Sequence, residues 1–132
     1  MTRIVVFDDD EAMRDVLIEV LEREGFEVSA ANNGDEGLKL LRESSADLVI
    51  TDVIMPHKNG IETVREIRLE FPDTRIIVIS GGGNITPMDY EPSAITTTAY
   101  LALASETGAD VTLTKPFERQ ELVGAVKELV QA

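Results

Sequence analysis

The stretch RIVVFDDD, residues 3–10, decides the fold of this protein. Its apolar residues, 4–7, are followed at once by three aspartates. A short, continuous apolar run of β-branched and aromatic residues is typical of a strand that is buried on both faces of a parallel sheet. We therefore expect a parallel sheet whose first strand ends in carboxylates.

The rest of the chain alternates between apolar runs and helical spacing of apolar residues. Further strands are predicted at residues 26–31, 46–51, 75–79 and 110–114. Helices are predicted around residues 13–21, 34–43, 61–71, 92–108 and 122–130. The spacing puts Met13, Val16, Leu17, Val20 and Leu21 on one apolar face of the first helix. Helices that connect parallel strands must cover both faces of the sheet. The pattern predicts one three-layer α/β domain over residues 1–132, with five parallel strands and five helices.

The composition excludes several classes of function. The 132 residues include no cysteine and one histidine, His57, which excludes disulfides, thiolate nucleophiles and multi-histidine metal sites. The formal net charge of −13 repels phosphate backbones, so we expect no direct nucleic-acid binding. No apolar run approaches the roughly 20 residues of a membrane span, and no signal peptide is recognisable. We expect a cytoplasmic protein without membrane insertion.

Polar side chains follow the predicted strands at the points where the strands end. Asp8 and Asp9 follow the first strand, Asp52 the third, Ser80 the fourth and Lys115 the fifth. For a sheet with strand order 2-1-3-4-5, the ligand crevice lies between strands 1 and 3, at their carboxyl ends. We expect the three carboxylates to converge there, with the serine and the lysine on the same edge. No glycine-rich phosphate loop of the nucleotide-binding type is present.

This set of side chains favours phosphoryl transfer. Three carboxylates held close together raise one another's pKa unless a cation binds, and an all-oxygen ligand set favours Mg²⁺. The three carboxylates, one Mg²⁺ and Lys115 together carry no net formal charge. Asp52, the carboxylate without an acidic neighbour in sequence, is the predicted nucleophile. Ser80 and Lys115 would contact the oxygens of the transferred phosphoryl group.

Four segments resemble the receiver domain of bacterial two-component response regulators. They are Phe7–Asp9, Asp52–Gly60, Ile79–Gly81 and Thr114–Phe117. The resemblance extends over essentially the whole chain, and it implies a flavodoxin-like (βα)5 fold with strand order 2-1-3-4-5. It also implies a phosphoprotein that takes part in phosphorelay signal transduction.

The resemblance implies the roles of the acidic residues. The residue matching Asp52 accepts a phosphoryl group from a sensor histidine kinase or a phosphotransfer protein. The residues matching Asp8 and Asp9 bind Mg²⁺ together with Asp52 and a backbone carbonyl, which here belongs to Ile54. Such a domain is not an enzyme for other substrates, because it catalyses only its own phosphorylation and dephosphorylation. It switches conformation to signal to an output domain or a downstream protein, and it can form a homodimer.

The segment from Ser80 to Lys115 departs from the family pattern. The two residues match the family's switch hydroxyl and lysine, and a cis bond between Lys115 and Pro116 is implied. Three positions before the lysine, where the family usually has an aromatic residue, this chain has Thr112. The segment is also longer than usual, with the excess at residues 82–91. We expect that loop to be either a passive insertion or an element ordered by phosphorylation.

Two other functions stay open on the sequence alone. Asp8 and Asp10 form an Asp-x-Asp pair, as in haloacid-dehalogenase-like phosphatases, although the acidic pair expected after Lys115 is missing. A pseudo-receiver would be a docking module that never uses its phosphorylation site. Taken singly, Asp9 or Asp10 could also be a helix N-cap and Ser80 a turn residue. Whether the domain stands alone or belongs to a longer regulator is also open.

Overall fold

The sheet has five parallel strands in the order that the sequence predicts. The structure, a computed structural model, describes residues 2–52, 60–80, 108–114 and 117–131, with only the backbone described for Gly60, Ile61, Ser80 and Gln131. The strands are β1 (Arg3–Phe7), β2 (Glu27–Ala31), β3 (Leu48–Asp52), β4 (Arg75–Ser80) and β5 (Val111–Thr114). Their spatial order is β2-β1-β3-β4-β5, and every neighbouring pair is parallel.

Four helices are described between and after these strands. They are α1 (Glu11–Arg23), α2 (Gly34–Glu43), α3 (Gly60–Glu70) and a C-terminal helix (Arg119–Gln131). The helix predicted over residues 92–108 lies almost wholly outside the described residues. Within the described ranges, no helix combines the length and the apolar character needed to cross a membrane.

The core has two layers because side chains alternate between the faces of each strand. On one face, α2 and α3 cover a cluster of Val5, Phe7, Leu38, Leu41, Val49, Val64, Ile67, Ile76 and Val78. On the other face, α1 and the C-terminal helix cover Ile4, Val6, Leu17, Leu21, Leu48, Ile50, Ile77, Ile79, Leu122 and Val126. The three central strands, β1, β3 and β4, are therefore buried on both faces, as their continuous apolar runs predict, whereas the edge strands β2 and β5 are partly exposed.

Helix α1 departs from the predicted burial pattern at one position. Leu17 and Leu21 are buried, but Val16 is 54% exposed, so the prediction that Val16 belongs to the buried face is wrong. The reason is angular: Val16 lies about 100° around the helix from Leu17, at the edge of the apolar stripe. Gly25, two residues after the last residue of the helix, has φ of 92°, which suits glycine, and the N–H groups of Gly25 and Phe26 donate to carbonyl oxygens of the last turn.

Glu24 joins the end of α1 to the C-terminal helix. Its carboxylate lies 2.9 Å from Lys127 Nζ and 3.2 Å from Arg119 Nη2. The hydrogen bond from Lys127, with the charges of both cations, lowers the pKa of Glu24 below its ordinary value. The ion pairs therefore favour the charged form of Glu24 and connect two helices on the same face of the sheet.

Arg68 of α3 forms hydrogen bonds that connect the amino-terminal ends of β4 and β5. Its guanidinium donates to the carbonyl oxygens of Pro72, Thr74 and Gly108 at 2.9, 2.9 and 2.7 Å, and to Asp110 Oδ2 at 3.1 Å. Asp110 Oδ2 also accepts from the N–H of the second residue of β4 at 2.8 Å. Gly108 has φ of +141°, and a Cβ there would lie 3.0 Å from Arg68 Nε. These contacts set the register in which β5 runs toward the opposite, carboxyl edge of the sheet.

Candidate functional site

Three carboxylates meet at the carboxyl ends of β1 and β3. Asp8 and Asp9 follow β1 directly, and Asp52 is the last residue of β3. One carboxylate oxygen from each of the three lies within 4.8 Å of the other two. Asp8 and Asp52 are 2% and 4% exposed, whereas Asp9 is exposed. The structure therefore brings these three residues together, as the sequence predicts.

The strand register explains why these residues meet. Phe7 is paired with Thr51 across β1 and β3, so the residue after each of them reaches the same level of the sheet edge. Asp52 is paired with Ile79 on its other side. Because β1 and β3 are neighbours although their sequences are far apart, the crevice between them collects carboxylates from two separate segments.

Hydrogen bonds hold the loop that carries Asp8 and Asp9. The N–H of Asp8 donates to the carbonyl oxygen of Ala31 at 3.1 Å, which continues the pairing of β1 with β2. Asp8 Oδ1 accepts from the N–H of Asp10 at 2.9 Å. Asp10 is the N-cap of α1, and its Oδ1 accepts from the N–H groups of Ala12 at 3.0 Å and Met13 at 3.4 Å. Asp10 is thus used by the helix, whereas the other two aspartates face Asp52.

The carboxylate cluster fits the requirements of a hard divalent cation. Its donors are all oxygen atoms, which Mg²⁺ and Ca²⁺ prefer. Opposite ligands of Mg²⁺, with bonds of about 2.1 Å, are about 4.2 Å apart. The carboxylate oxygens lie within 4.8 Å of one another, so they need at most a small contraction to contact one ion. Asp8, Asp9 and Asp52 are the residues that could hold it.

Ser80 reaches the same edge of the sheet. Its backbone lies in β4 one residue beyond the partner of Asp52, and it pairs with Thr114, the last residue of β5. Its side chain is not described. Lys115 directly follows Thr114 but lies outside the described residues, as do Ile54, the predicted cis bond before Pro116 and the loop at residues 82–91.

Thr112 occupies the position of the missing aromatic residue on β5. It lies in the middle of the strand, is exposed and is paired with Val78 of β4. A small polar side chain therefore occupies the position on the edge strand where the resemblance implies an aromatic ring.

Two contacts near the carboxylates were not predicted from the sequence. Arg14 of α1 donates from Nη1 to the carbonyl oxygen of Asp8 at 2.9 Å. Gly37 of α2 lies against the ring of Phe7, the residue before Asp8, and a Cβ at position 37 would come within 2.5 Å or less of three ring carbon atoms. For the Arg14 contact, the only signal in the sequence is that this cation lies one helical turn after the three aspartates. The close approach of α2 to β1 had no sequence signal.

The sheet order, the helices on both faces and the acidic cluster between β1 and β3 define a doubly wound α/β domain with its site at the switch point of the sheet. Comparison with known families then assigns it more narrowly. The chain belongs to the response regulator receiver domain family, whose family model matches residues 4–127.

Individual relatives and solved structures agree with this family. The transcriptional regulatory protein CpxR of Klebsiella pneumoniae is 34% identical over 131 residues, which cover 99% of this chain and 50% of CpxR. The chain therefore spans about half the length of that relative. A receiver domain protein from Clostridium thermocellum superimposes with a TM-score of 0.84 at 30% identity, over 99% of this chain and 95% of that one.

A second solved structure contains ligands. The response regulator TrrA of Thermotoga maritima, determined in complex with Mg²⁺ and BeF, has a TM-score of 0.77 and 36% identity. The match covers 98% of this chain and 99% of TrrA. The fold and the family predicted from the sequence are thus confirmed.

Proposed function

We propose that this receiver domain accepts a phosphoryl group on Asp52 in a Mg²⁺-dependent reaction. The observation that carries the proposal is the convergence of Asp8, Asp9 and Asp52 at the carboxyl ends of β1 and β3. Membership of the receiver family and the Mg²⁺–BeF complex of TrrA support it. Asp8 and Asp9 would hold the metal together with Asp52 and the carbonyl group of Ile54.

The donor is a phosphohistidine of a sensor kinase or of a phosphotransfer protein. A carboxylate oxygen of Asp52 forms a bond to phosphorus while the bond from phosphorus to the histidine nitrogen breaks, and that nitrogen keeps the electron pair. The product is an acyl phosphate, which water later hydrolyses by adding oxygen to phosphorus and releasing the Asp52 carboxylate. When bound, Mg²⁺ supplies positive charge that offsets the charge on the phosphoryl oxygens.

Ser80 and Lys115 are proposed to contact the transferred group. The hydroxyl of Ser80 would donate to a phosphoryl oxygen, and the ammonium of Lys115 would form a charge-assisted hydrogen bond to another. The pairing of Ser80 with Thr114 supports both roles, because it places the carboxyl ends of β4 and β5 at the same edge of the sheet as Asp52. Because position 112 holds a threonine, no aromatic ring is available there to follow a movement of the Ser80 hydroxyl.

The phosphorylated domain is proposed to signal to an output domain or a downstream protein. The proposed contact surface is the face formed by the helix predicted over residues 92–108, by β5 and by the C-terminal helix, and homodimer formation stays a prediction. A cytoplasmic location, no direct nucleic-acid contact by this domain, and no catalysis on other substrates complete the proposal. Output by a DNA-binding module would therefore depend on residues beyond this domain.

A small phosphodonor tests the proposal without the cognate kinase. The protein is incubated with acetyl phosphate and Mg²⁺, and intact mass is recorded beside an Asp52→Asn variant. We expect the parent to gain one phosphoryl group and the variant to gain none. Steady release of phosphate from unrelated monoesters, abolished by Asp8→Asn, would favour the phosphatase instead. No gain with acetyl phosphate or with several histidine kinases would favour the docking module.

A further inference from the structure

Arg14 reaches back from α1 to the loop that carries the acidic cluster. Its Nη1 donates to the backbone carbonyl oxygen of Asp8 at 2.9 Å, and the contact is partly buried. The N–H of Asp8 is held on the other side by Ala31, at 3.1 Å. The two backbone groups of Asp8 are thus held by different elements, its N–H by β2 and its carbonyl by α1.

The carbonyl group of Asp8 belongs to the peptide plane that joins Asp8 to Asp9. An arginine hydrogen bond to that oxygen is charge-assisted, so it holds the plane more firmly than a neutral donor would. Fixing the plane fixes the position from which the Asp9 side chain leaves the backbone. Asp9 is the exposed member of the cluster, so its approach to the two buried carboxylates depends on the backbone rather than on packing.

We infer that Arg14 is a positioning residue for metal binding: it holds the Asp8–Asp9 peptide so that both carboxylates face Asp52. The inference rests on the proposed Mg²⁺ site and goes beyond it, because Arg14 is not one of the proposed ligands and contacts a backbone carbonyl group instead. Groups that orient metal ligands change metal affinity by about tenfold to a hundredfold when they are removed.

Because Arg14 is charged, the direction in which its removal changes Mg²⁺ affinity tests the inference. A cation near the site repels Mg²⁺, so removing it should tighten metal binding if electrostatics alone operates. If Arg14 positions the ligands, removing it should weaken metal binding. The two explanations therefore predict opposite changes in the dissociation constant.

The experiment is a calorimetric titration of the protein with Mg²⁺. Arg14→Met keeps an unbranched apolar stem and a similar helix propensity but removes the donor and the charge. Arg23→Met makes the same change on the same helix, at an exposed position where Arg23 pairs with Glu19. We expect about tenfold weaker binding for Arg14→Met, and unchanged or slightly tighter binding for Arg23→Met. Equal or tighter binding by Arg14→Met would overturn the inference.

Two further measurements keep the test decisive. In metal-free protein, the amide signals of Asp9 and Asp10 in a ¹⁵N correlation spectrum should shift in Arg14→Met and stay in place in Arg23→Met. Arg14→Lys keeps the charge and should bind Mg²⁺ with an intermediate affinity, since one ammonium replaces the guanidinium fork. If Arg14→Met does not fold, a parent-like affinity of Arg14→Lys overturns the inference instead.

Failure of the proposed function would look different. If the parent shows no Mg²⁺ binding, or if Asp9→Ala binds as tightly as the parent, the metal site itself is wrongly assigned. If the parent binds Mg²⁺ and Asp9→Ala does not, only the response of the Arg14 variants decides the role of Arg14.

Discussion

Replacing Asp52 by asparagine should stabilise the metal-free protein. The substitution keeps the shape of the side chain and removes a charge that lies, 4% exposed, beside two other carboxylates. At the 4.8 Å limit of their separation, two unit charges repel by about 1 kcal/mol in water and about 3 kcal/mol at an effective dielectric constant of about 20. We therefore expect Asp52→Asn to raise the free energy of unfolding by about 1–3 kcal/mol at pH 8 in EDTA.

Urea unfolding followed by far-UV circular dichroism measures this difference, and it suits a chain without tryptophan. Asp15→Asn is the matched control, because Asp15 is an exposed aspartate on α1 and its removal changes the net charge equally. Mg²⁺ should shift the difference in favour of the parent, since a ligand at 100 times its dissociation constant stabilises the parent by about 2.7 kcal/mol. A metal-free Asp52→Asn variant clearly less stable than the parent would refute the reasoning that these carboxylates repel one another.

Three other variants test packing and ion pairs elsewhere in the fold. Gly37→Ala should lower the free energy of unfolding by about 1–2 kcal/mol in urea unfolding, because the cost of overpacking against the ring of Phe7 exceeds the gain in helix propensity. Gly124→Ala, with open space around it, should raise that free energy instead, and a change of the same sign in both variants would contradict this explanation. Glu24→Gln should lower the melting temperature at pH 7. Because pairing lowers the pKa of Glu24, the stabilisation it contributes is present above the ordinary glutamate value of 4.5 and is lost as pH falls through the lowered value, so the difference should vanish in acid. Arg68→Lys should lower the free energy of unfolding by about 2–3 kcal/mol, since one ammonium cannot reach every acceptor of the guanidinium group. Unfolding at the same urea concentration as the parent would show that these hydrogen bonds do not stabilise the protein.

The fold was predictable because its signals are local and repeated. The three central strands are short apolar runs, and the sequence change from Phe7 to Asp8 marks a strand end that the structure reproduces. The meeting of Asp8 with Asp52 followed from one topological rule applied to those strand ends. Prediction of the cluster therefore needed no knowledge of side-chain packing.

The contacts that sequence reasoning missed depend on tertiary geometry. The hydrogen bonds of Arg14 and Arg68 go to backbone carbonyls, which every residue carries, so residue identities do not reveal the acceptors. Val16 was misjudged because helical spacing alone does not tell how wide a stripe the sheet covers. The closeness of Gly37 to Phe7 depends on how α2 packs on β1, which propensity does not encode.

The most direct test of the account locates the phosphoryl group. The protein is phosphorylated with acetyl phosphate and Mg²⁺, the acyl phosphate is trapped by reduction with borohydride, and the modified residue is identified by peptide mass mapping. We expect homoserine at position 52, formed only when Mg²⁺ is present and lost when Asp9→Ala removes a metal ligand. Trapping at Asp8 instead of Asp52, or equal trapping at position 52 in EDTA, would contradict it.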